Sequence, residues 1–225
     1  MQTEREYNEL NENQYSVAPS GNHFVLPVRE EYPAEFNRIK ALAEEQKKLR
    51  REIVVVMGLG FVGAVMAAVI ANAEDGSGRP SKFVIGVQRP SSRSYWKIGT
   101  INSGMSPFYS EDPKVQQYIY SAVTKKKTLV ATYNEDVLKL ADSVVVDIQC
   151  DYHKHAFGNV EDGDVQIDDL KEALHTIGRL IGPQALVLIE TTVPPGTTEK
   201  IAYPILKEEF TARGMAEEPL LAHSY

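Results

Sequence analysis

A run of apolar residues leads directly into a glycine-rich turn, and this junction constrains the fold more than any other feature of the sequence. Residues 53–57 (IVVVM) contain no polar side chain, which is typical of a strand buried on both faces. The turn GLGFVG follows at residues 58–63, and residues 61–72 are small and apolar enough to form a helix packed closely on a sheet. Strand, turn and helix together predict the first half of a βαβ unit, in which the next strand lies parallel to the first.

The alternation of strands and helices continues to the end of the chain. A parallel sheet with helices on both faces, joined by right-handed crossovers, is the arrangement that such alternation favours. We therefore predict an α/β, Rossmann-like, doubly wound fold with a mainly parallel sheet and helices on both faces. Further strands are predicted at residues 83–88, 128–132, 143–149 and 185–190, and further helices at residues 112–125, 135–140, 167–181 and 197–213.

The glycine turn has the spacing G-x-G-x-x-G, which indicates a dinucleotide site when a strand precedes it and a helix follows it. Gly58 permits the tight turn, Gly60 lets a pyrophosphate approach the backbone, and Gly63 brings helix and strand together. Phe61 and Val62 begin the helix, whose N-terminal N–H groups and dipole attract phosphates. We predict that all five residues bind the cofactor. The alternative is a turn that needs its glycines for packing alone.

The end of the second strand carries polar residues that would meet the adenosine ribose. In this fold an acidic residue about 20 positions after the loop commonly binds the ribose hydroxyls of NAD. Here Gln88 takes that position and Arg89 follows it. Gln88 can exchange hydrogen bonds with a hydroxyl but has no charge, and Arg89 is either a solvated loop residue or a partner for a 2′-phosphate. We predict NAD as the cofactor, in preference to NADP.

The first 50 residues differ from the rest of the chain in their pattern of polar and apolar residues. They begin with a polar stretch that shows no sustained period, which we interpret as an irregular arm or cover. At residues 34–50 apolar side chains recur at helical spacing, so a helix packed beside the sheet is expected, and a partner-binding helix is the alternative. The chain is accordingly divided into an N-terminal arm and helix at residues 1–50 and a Rossmann-like NAD-binding domain at residues 51–225.

The bulk composition excludes several classes of function. The chain has 24 basic and 31 acidic residues and a net charge of −7, which argues against a nucleic-acid partner. No segment approaches the about 20 apolar residues that cross a bilayer, so no membrane partner is predicted. Cys150 is the single cysteine, which rules out an intrachain disulfide and favours a reducing, cytoplasmic location.

Four stretches resemble the family of UDP-glucose, GDP-mannose and UDP-N-acetylmannosamine dehydrogenases. The most specific is ETTVPPGTTEKI at residues 190–201, which is similar to the family's Ser-Thr-Val-Pro-Pro-Gly-Thr-Thr-Glu. The others are GLGFVG at residues 58–63, KIGTINSGMSPFY at residues 97–109 and LVATYNEDVLKLADSVVVDI at residues 129–148. The resemblance covers residues 52–225.

The resemblance implies a reaction and roles for three residues. Such enzymes oxidise the C6 hydroxymethyl of a nucleotide-bound hexose to a carboxylate with two successive NAD molecules. By resemblance, Lys97 lies near the adenosine end of the cofactor and Thr132 beside the cofactor. Thr192 lies beside the nicotinamide and the catalytic water, which makes it the catalytic candidate. A nucleotide sugar is then the substrate of the full-length enzyme, and a homodimer forms when the family's central helix is present.

Several family features have no counterpart in these 225 residues. They are the catalytic glutamate and cysteine, the central helix and the UDP-binding domain, so the chain by itself is expected to be inactive. Cys150 lies in the cofactor domain, the wrong part of the chain for the nucleophile. His153 and His155 lack the further ligands of a metal cluster, and no metal is predicted. A non-catalytic NAD-binding module and a dehydrogenase of another class, such as a hydroxyacid dehydrogenase, remain as alternatives.

Overall fold

The fold was analysed in a computed structural model that describes residues 14–153, 155 and 163–224. The first part of the predicted arm, residues 1–13, lies outside the described residues. The strands, in chain order, are β1 (Tyr15–Val17), β2 (His23–Val25), β3 (Glu52–Met57), β4 (Lys82–Val87), β5 (Leu129–Thr132), β6 (Ser143–Val146), β7 (Asp151–His153), β8 (Asp164–Gln166), β9 (Leu186–Ile189) and β10 (Leu220–His223). The α-helices are α1 (Tyr32–Lys48), α2 (Phe61–Ala71), α3 (Trp96–Asn102), α4 (Pro113–Tyr120), α5 (Asp168–Leu180) and α6 (Tyr203–Ala212).

Six of the strands form one sheet in the order β10-β9-β6-β3-β4-β5, and every neighbouring pair is parallel. Counted along the chain within this sheet, the spatial order is 3-2-1-4-5-6, the order of the dinucleotide-binding folds. The predicted Rossmann-like, doubly wound fold is confirmed. The direction of winding reverses between β3 and β6, and in open α/β sheets ligands bind at such a reversal, beyond the carboxyl ends of the strands.

Two hydrophobic cores lie on opposite faces of the sheet. Successive side chains of β3 alternate between them, with Val54 and Val56 in one and Val55 and Met57 in the other. The Val54 face is covered by α2 and α3, and the Val55 face by α1, α5 and α6. Burial on both faces explains why β3 has no polar residue after Glu52. No helix in the described part of the chain is long and apolar enough to cross a membrane.

The structure corrects several predicted elements. The strand predicted at residues 143–149 ends at Val146, the helix predicted at 112–125 continues beyond Tyr120 as a π-helical turn, and the helix predicted at 197–213 begins with another such turn. The short helix predicted at residues 135–140 is present with these bounds, as a 3₁₀ helix. The β1–β2 and β7–β8 hairpins, α3 and β10 were not predicted, because elements of three to seven residues show too little periodicity to be recognised.

The N-terminal segment packs against the sheet instead of standing apart from it. Ile39 and Ala43 of α1 belong to the same core as β3 and β4. The β1–β2 hairpin reaches the other side, where the Ser16 hydroxyl accepts a hydrogen bond from the backbone N–H of Trp96 at 3.0 Å. The Phe24 ring occupies the space in which Gly99 would otherwise carry a side chain. A domain boundary at residue 50 stays a prediction.

Replacing Ile39 tests whether α1 is part of the same cooperative unit as the sheet. Ile39 is fully buried, so Ile39→Ala is expected to lower the free energy of unfolding by about 2–5 kcal/mol, measured by urea denaturation followed by circular dichroism. Leu49→Ala, just beyond the same helix at an exposed position, is the control and should change it by less than about 0.5 kcal/mol. Equal, small effects of both substitutions would show that α1 is a loosely attached appendage.

Candidate functional site

Two glycines of the loop after β3 are required by the protein's own packing. Gly58 has a φ of +94°, in the left-handed region that favours glycine, and a Cβ there would lie 2.1 Å from the carbonyl oxygen of Asp147. A Cβ on Gly63 would lie 1.9 Å from the carbonyl oxygen of Gly58. The loop therefore packs backbone against backbone at the point where β3 and β6 diverge.

Gly60 has no such structural reason to be a glycine. Its φ of −72° and ψ of −164° are extended values that any residue adopts. The nearest atom to an added Cβ is an Asp147 carboxylate oxygen at 3.9 Å, so the space in front of Gly60 is open. Gly60 is also the N-cap of α2, and the N–H groups of Phe61 and Val62 have no acceptor within the helix. An open space at a helix N-terminus suits a phosphate group.

Four of the predicted cofactor residues line a single cleft in front of this loop. The cleft has a volume of about 470 Å³ and includes Gly58, Gly60, Gln88 and Lys97. Its walls come from the carboxyl ends of β3, β4 and β6 and from the loop that leads to α3. The cleft thus lies at the reversal point of the sheet, where the topology places a ligand.

Gln88 contributes to the shape of the loop as well as to the wall of the cleft. Its Oε1 accepts a hydrogen bond from the N–H of Leu59 at 3.0 Å, and its Nε2 donates to the Ser94 hydroxyl at 3.3 Å. A neutral amide can do both because it carries a donor and an acceptor. The side chain predicted to meet the ribose therefore also joins the glycine loop to the loop after β4.

Thr192 lies in a second hollow that adjoins the cleft. This hollow has a volume of about 300 Å³ and shares Gly60 and Asp147 with the cleft. Thr192 is exposed there, close to Cys150 and Glu190. A ligand that crosses the glycine loop from the cleft would reach the Thr192 hydroxyl.

Thr132 is placed differently from the other predicted residues. It ends β5 at the same edge of the sheet, but it is completely buried. Its hydroxyl donates to the Glu35 carboxylate of α1 at 2.6 Å, and Arg38 pairs with the same carboxylate at 2.7 Å. The N-terminal helix thus covers Thr132 and keeps it out of the lining of the cleft. A contact between Thr132 and the cofactor stays a prediction.

Cys150 is poorly suited to act as a nucleophile. Burial, followed by the nearby carboxylates of Asp151 and Asp169, raises the pKa of its thiol. The thiol also points at the carbonyl oxygen of Ile148, with the sulfur 3.7 Å away. Since the thiolate is the reactive form, this environment keeps Cys150 unreactive at neutral pH.

Asp147 is a site residue that the sequence reading missed, because the predicted strand was extended through it. β6 ends one residue earlier, and Asp147 turns its carboxylate towards the N-terminus of α2, where it accepts a hydrogen bond from the N–H of Gly63. Burial raises the pKa of this carboxyl, the Gly63 hydrogen bond lowers it by less, and Glu190 raises it further. The rule that residues just past the strand ends line the site could have found Asp147.

Comparison with known proteins decides the family. Residues 52–219 match the family described as "UDP-glucose/GDP-mannose dehydrogenase family, NAD binding domain". The chain belongs to this family. The match covers the part of the chain that contains the cleft, so the prediction of NAD as the cofactor is confirmed at the level of the family. It also removes the support for a hydroxyacid dehydrogenase.

Individual members of the family are similar over the same region. A UDP-N-acetyl-D-mannosamine dehydrogenase from Pyrococcus horikoshii is 29% identical over 149 residues, which are 66% of this chain and 30% of that protein. A GDP-mannose 6-dehydrogenase from Pseudomonas savastanoi pv. phaseolicola is 26% identical over 157 residues, 68% of this chain and 31% of that protein. The chain therefore spans about a third of the length of these relatives.

A solved structure of the family shows the same fold. The NDP-N-acetyl-D-galactosaminuronic acid dehydrogenase from Methanosarcina mazei Go1 superposes with a TM-score of 0.64 at 28% identity. The superposition covers 80% of this chain and 36% of that one. The Rossmann-like sheet of this chain is thus the arrangement found in nucleotide-sugar dehydrogenases.

Substitutions at Gly60 and Gly58 test whether each glycine is required for ligand binding or for the packing of the protein. Gly60→Val should change the free energy of unfolding by less than about 1 kcal/mol, because its Cβ meets only open space, yet abolish NAD binding in calorimetry. Gly58→Val is the matched control and should unfold the domain, since its side chain collides with the backbone of Asp147. If Gly60→Val bound NAD as tightly as the parent, the loop would be purely structural.

The Asp147 carboxylate is expected to oppose both folding and anion binding at neutral pH. Its pKa is raised in the folded state, so the folded protein retains a proton that the unfolded chain loses as the pH rises above about 3.9. Asp147→Asn should therefore be more stable than the parent at pH 7, with the difference shrinking as the pH falls towards that value. The variant should also bind NAD several-fold more tightly at pH 7. A parent protein that is the more stable of the two at pH 7 would contradict this reasoning.

Proposed function

We propose that the chain is the NAD-binding portion of a nucleotide-sugar 6-dehydrogenase, which oxidises the C6 hydroxymethyl of a UDP- or GDP-hexose or hexosamine to a carboxylate. The observation that carries the proposal is the open space at Gly60, at the reversal point of the sheet, in a chain that matches this family. NAD, when bound, supplies the hydride acceptor, and two molecules are reduced for each alcohol oxidised to an acid. The location proposed for the enzyme is the cytoplasm.

The chain's own residues bind and orient the cofactor. The backbone N–H groups of Phe61 and Val62 point towards the open space at Gly60, where the pyrophosphate would lie. Gln88 and Lys97 line the cleft on the side of the adenosine. Thr192, in the adjoining hollow, is then on the nicotinamide side. Its hydroxyl both donates and accepts a hydrogen bond, which suits the proposed role beside the catalytic water.

The nucleotide sugar and the nucleophile are proposed to be held by parts of the enzyme outside these residues. Within this chain the single thiol, Cys150, is protonated at neutral pH and donates a hydrogen bond to a backbone carbonyl. A positioned base and an oriented substrate each contribute orders of magnitude to such a rate. We also propose that the enzyme dimerises through the family's central helix, and that this chain alone binds NAD without turnover.

An NADH absorbance assay tests the last proposal. The purified chain should show no steady turnover with UDP-glucose, UDP-N-acetylglucosamine, UDP-N-acetylmannosamine or GDP-mannose, while calorimetry shows NAD binding. Cys150→Ser should behave in the same way in both measurements. Turnover with any of these sugars that Cys150→Ser abolishes would make Cys150 the nucleophile and overturn the proposal. A second experiment fuses the chain to the segment that follows the matched region in the relatives. If this fusion binds NAD but shows no turnover, the non-catalytic binding module is favoured.

A further inference from the structure

Three cations line the cleft on the side of the loop after β4, and other elements supply three carboxylates, those of Glu135, Asp147 and Asp169. Arg89, Arg93 and Lys97 all line it, together with the hydroxyls of Ser91 and Ser94. The pyrophosphate is accounted for by the glycine loop and the N-terminus of α2 on the other wall. The three cations are therefore available to another part of the ligand.

Two of these cations have no acidic partner among the residues that the structure describes. Lys97 is half-buried, and desolvation alone lowers the pKa of its ammonium group. Arg93 makes no ion pair with any described residue. Since a partly buried cation is stabilised when an anion comes within hydrogen-bond distance, the arrangement favours a negatively charged group in this part of the cleft.

Arg89 is paired, but weakly. Its guanidinium lies 3.6 Å from the Asp169 carboxylate and 3.3 Å from that of Glu172, and both carboxylates are largely exposed. Ion pairs of this kind contribute little because water screens them, so Arg89 can exchange them for a doubly charged phosphate. Glu135 also lines the cleft, where burial raises the pKa of its carboxyl and the positive charge of Arg89 lowers it by less.

Because Gln88 is neutral, this site lacks the negative charge with which an NAD-specific site repels a phosphate on the ribose. At the end of β4 the acidic residue usual for NAD binding would meet the ribose hydroxyls and oppose a phosphate there. The Gln88 amide is neutral, and its two polar atoms are already used by Leu59 and Ser94. Nothing at this position therefore excludes a phosphate on the ribose.

The loop that carries Arg89 and Arg93 is held in place before any ligand arrives. The Ser94 hydroxyl donates to the Arg89 carbonyl at 3.2 Å, and the N–H of Tyr95 donates to the Ser91 carbonyl at 3.0 Å. The Trp96 indole N–H donates to the Arg93 carbonyl at 3.0 Å. A preorganised backbone reduces the entropy lost on binding, as expected of a built subsite.

From these contacts we infer that the adenosine end of the cleft accepts a phosphate on the ribose 2′-hydroxyl, so that the domain binds NADP as well as it binds NAD. The inference rests on the proposed cofactor cleft and adds a subsite to it. It departs from the NAD preference expected from the sequence. Arg93 and Lys97, with Arg89 and Ser91, are the residues that would contact the 2′-phosphate.

Calorimetry of the 225-residue chain with NAD and NADP tests the inference. The dissociation constant for NADP should be less than about threefold that for NAD, and adenosine 2′,5′-bisphosphate should bind more tightly than 5′-AMP. Arg93→Ala should raise the ratio of the NADP to the NAD dissociation constant by about tenfold, because it removes a charge-assisted contact to the phosphate. Gln88→Glu, which is isosteric and adds one negative charge, should raise the same ratio by a similar factor.

Arg79→Ala is the matched control. It removes the same charge from an exposed loop before β4, at the opposite edge of the sheet, and should leave the ratio unchanged. NAD binding with NADP weaker by about threefold or more would overturn this inference and leave the proposed function intact. The same holds if neither Arg93→Ala nor Gln88→Glu raises the ratio. Failure of both dinucleotides to bind would instead overturn the proposed function.

Discussion

The close approach of two backbones at the reversal point of the sheet is the contact on which the rest of the site depends. The carbonyl of Asp147 lies where a side chain on residue 58 would be, and the carbonyl of Gly58 lies where one on residue 63 would be. These approaches hold α2 against β3 and aim its N-terminus at the open space beside Gly60. Because backbone atoms cannot move aside as a side chain can, the geometry admits only glycine at two of the three loop positions.

At the same junction, a group that attracts anions lies beside a group that repels them. The N-terminus of α2 attracts anions, but the Asp147 carboxylate already accepts the N–H of Gly63 and adds negative charge beside the loop. The first-turn N–H groups of α2 and the cations of the opposite wall must therefore outweigh this charge when a dinucleotide binds. Lys97 and Arg93 are well placed to do so, since the structure shows no acidic partner for either among the described residues.

The N-terminal segment connects this wall to the body of the domain. Ser16 of β1 accepts the N–H of Trp96, and Phe24 of β2 packs on Gly99, so the hairpin fixes the start of the helix that carries Lys97. On the other face, the carboxylate of Glu35 in α1 accepts a hydrogen bond from the hydroxyl of Thr132. A segment that lies outside the family match thus supports one predicted cofactor residue and covers another. Neither effect was foreseen, because both join residues about 70 to 100 positions apart.

The sequence by itself determined five of the six strands of the parallel sheet and the glycine loop. Apolar runs without polar interruption form strands that are buried on both faces. The spacing G-x-G-x-x-G directly after such a run indicates a dinucleotide-binding loop. Only the tertiary structure decided which side chains share the cleft. It ended β6 before Asp147, tied Gln88 to the glycine loop, buried Thr132 under α1 and brought Arg93 to the cleft. The physical reason is that strand periodicity reports burial within one element, whereas a binding site is made of the ends of several elements. Their approach depends on packing between distant parts of the chain.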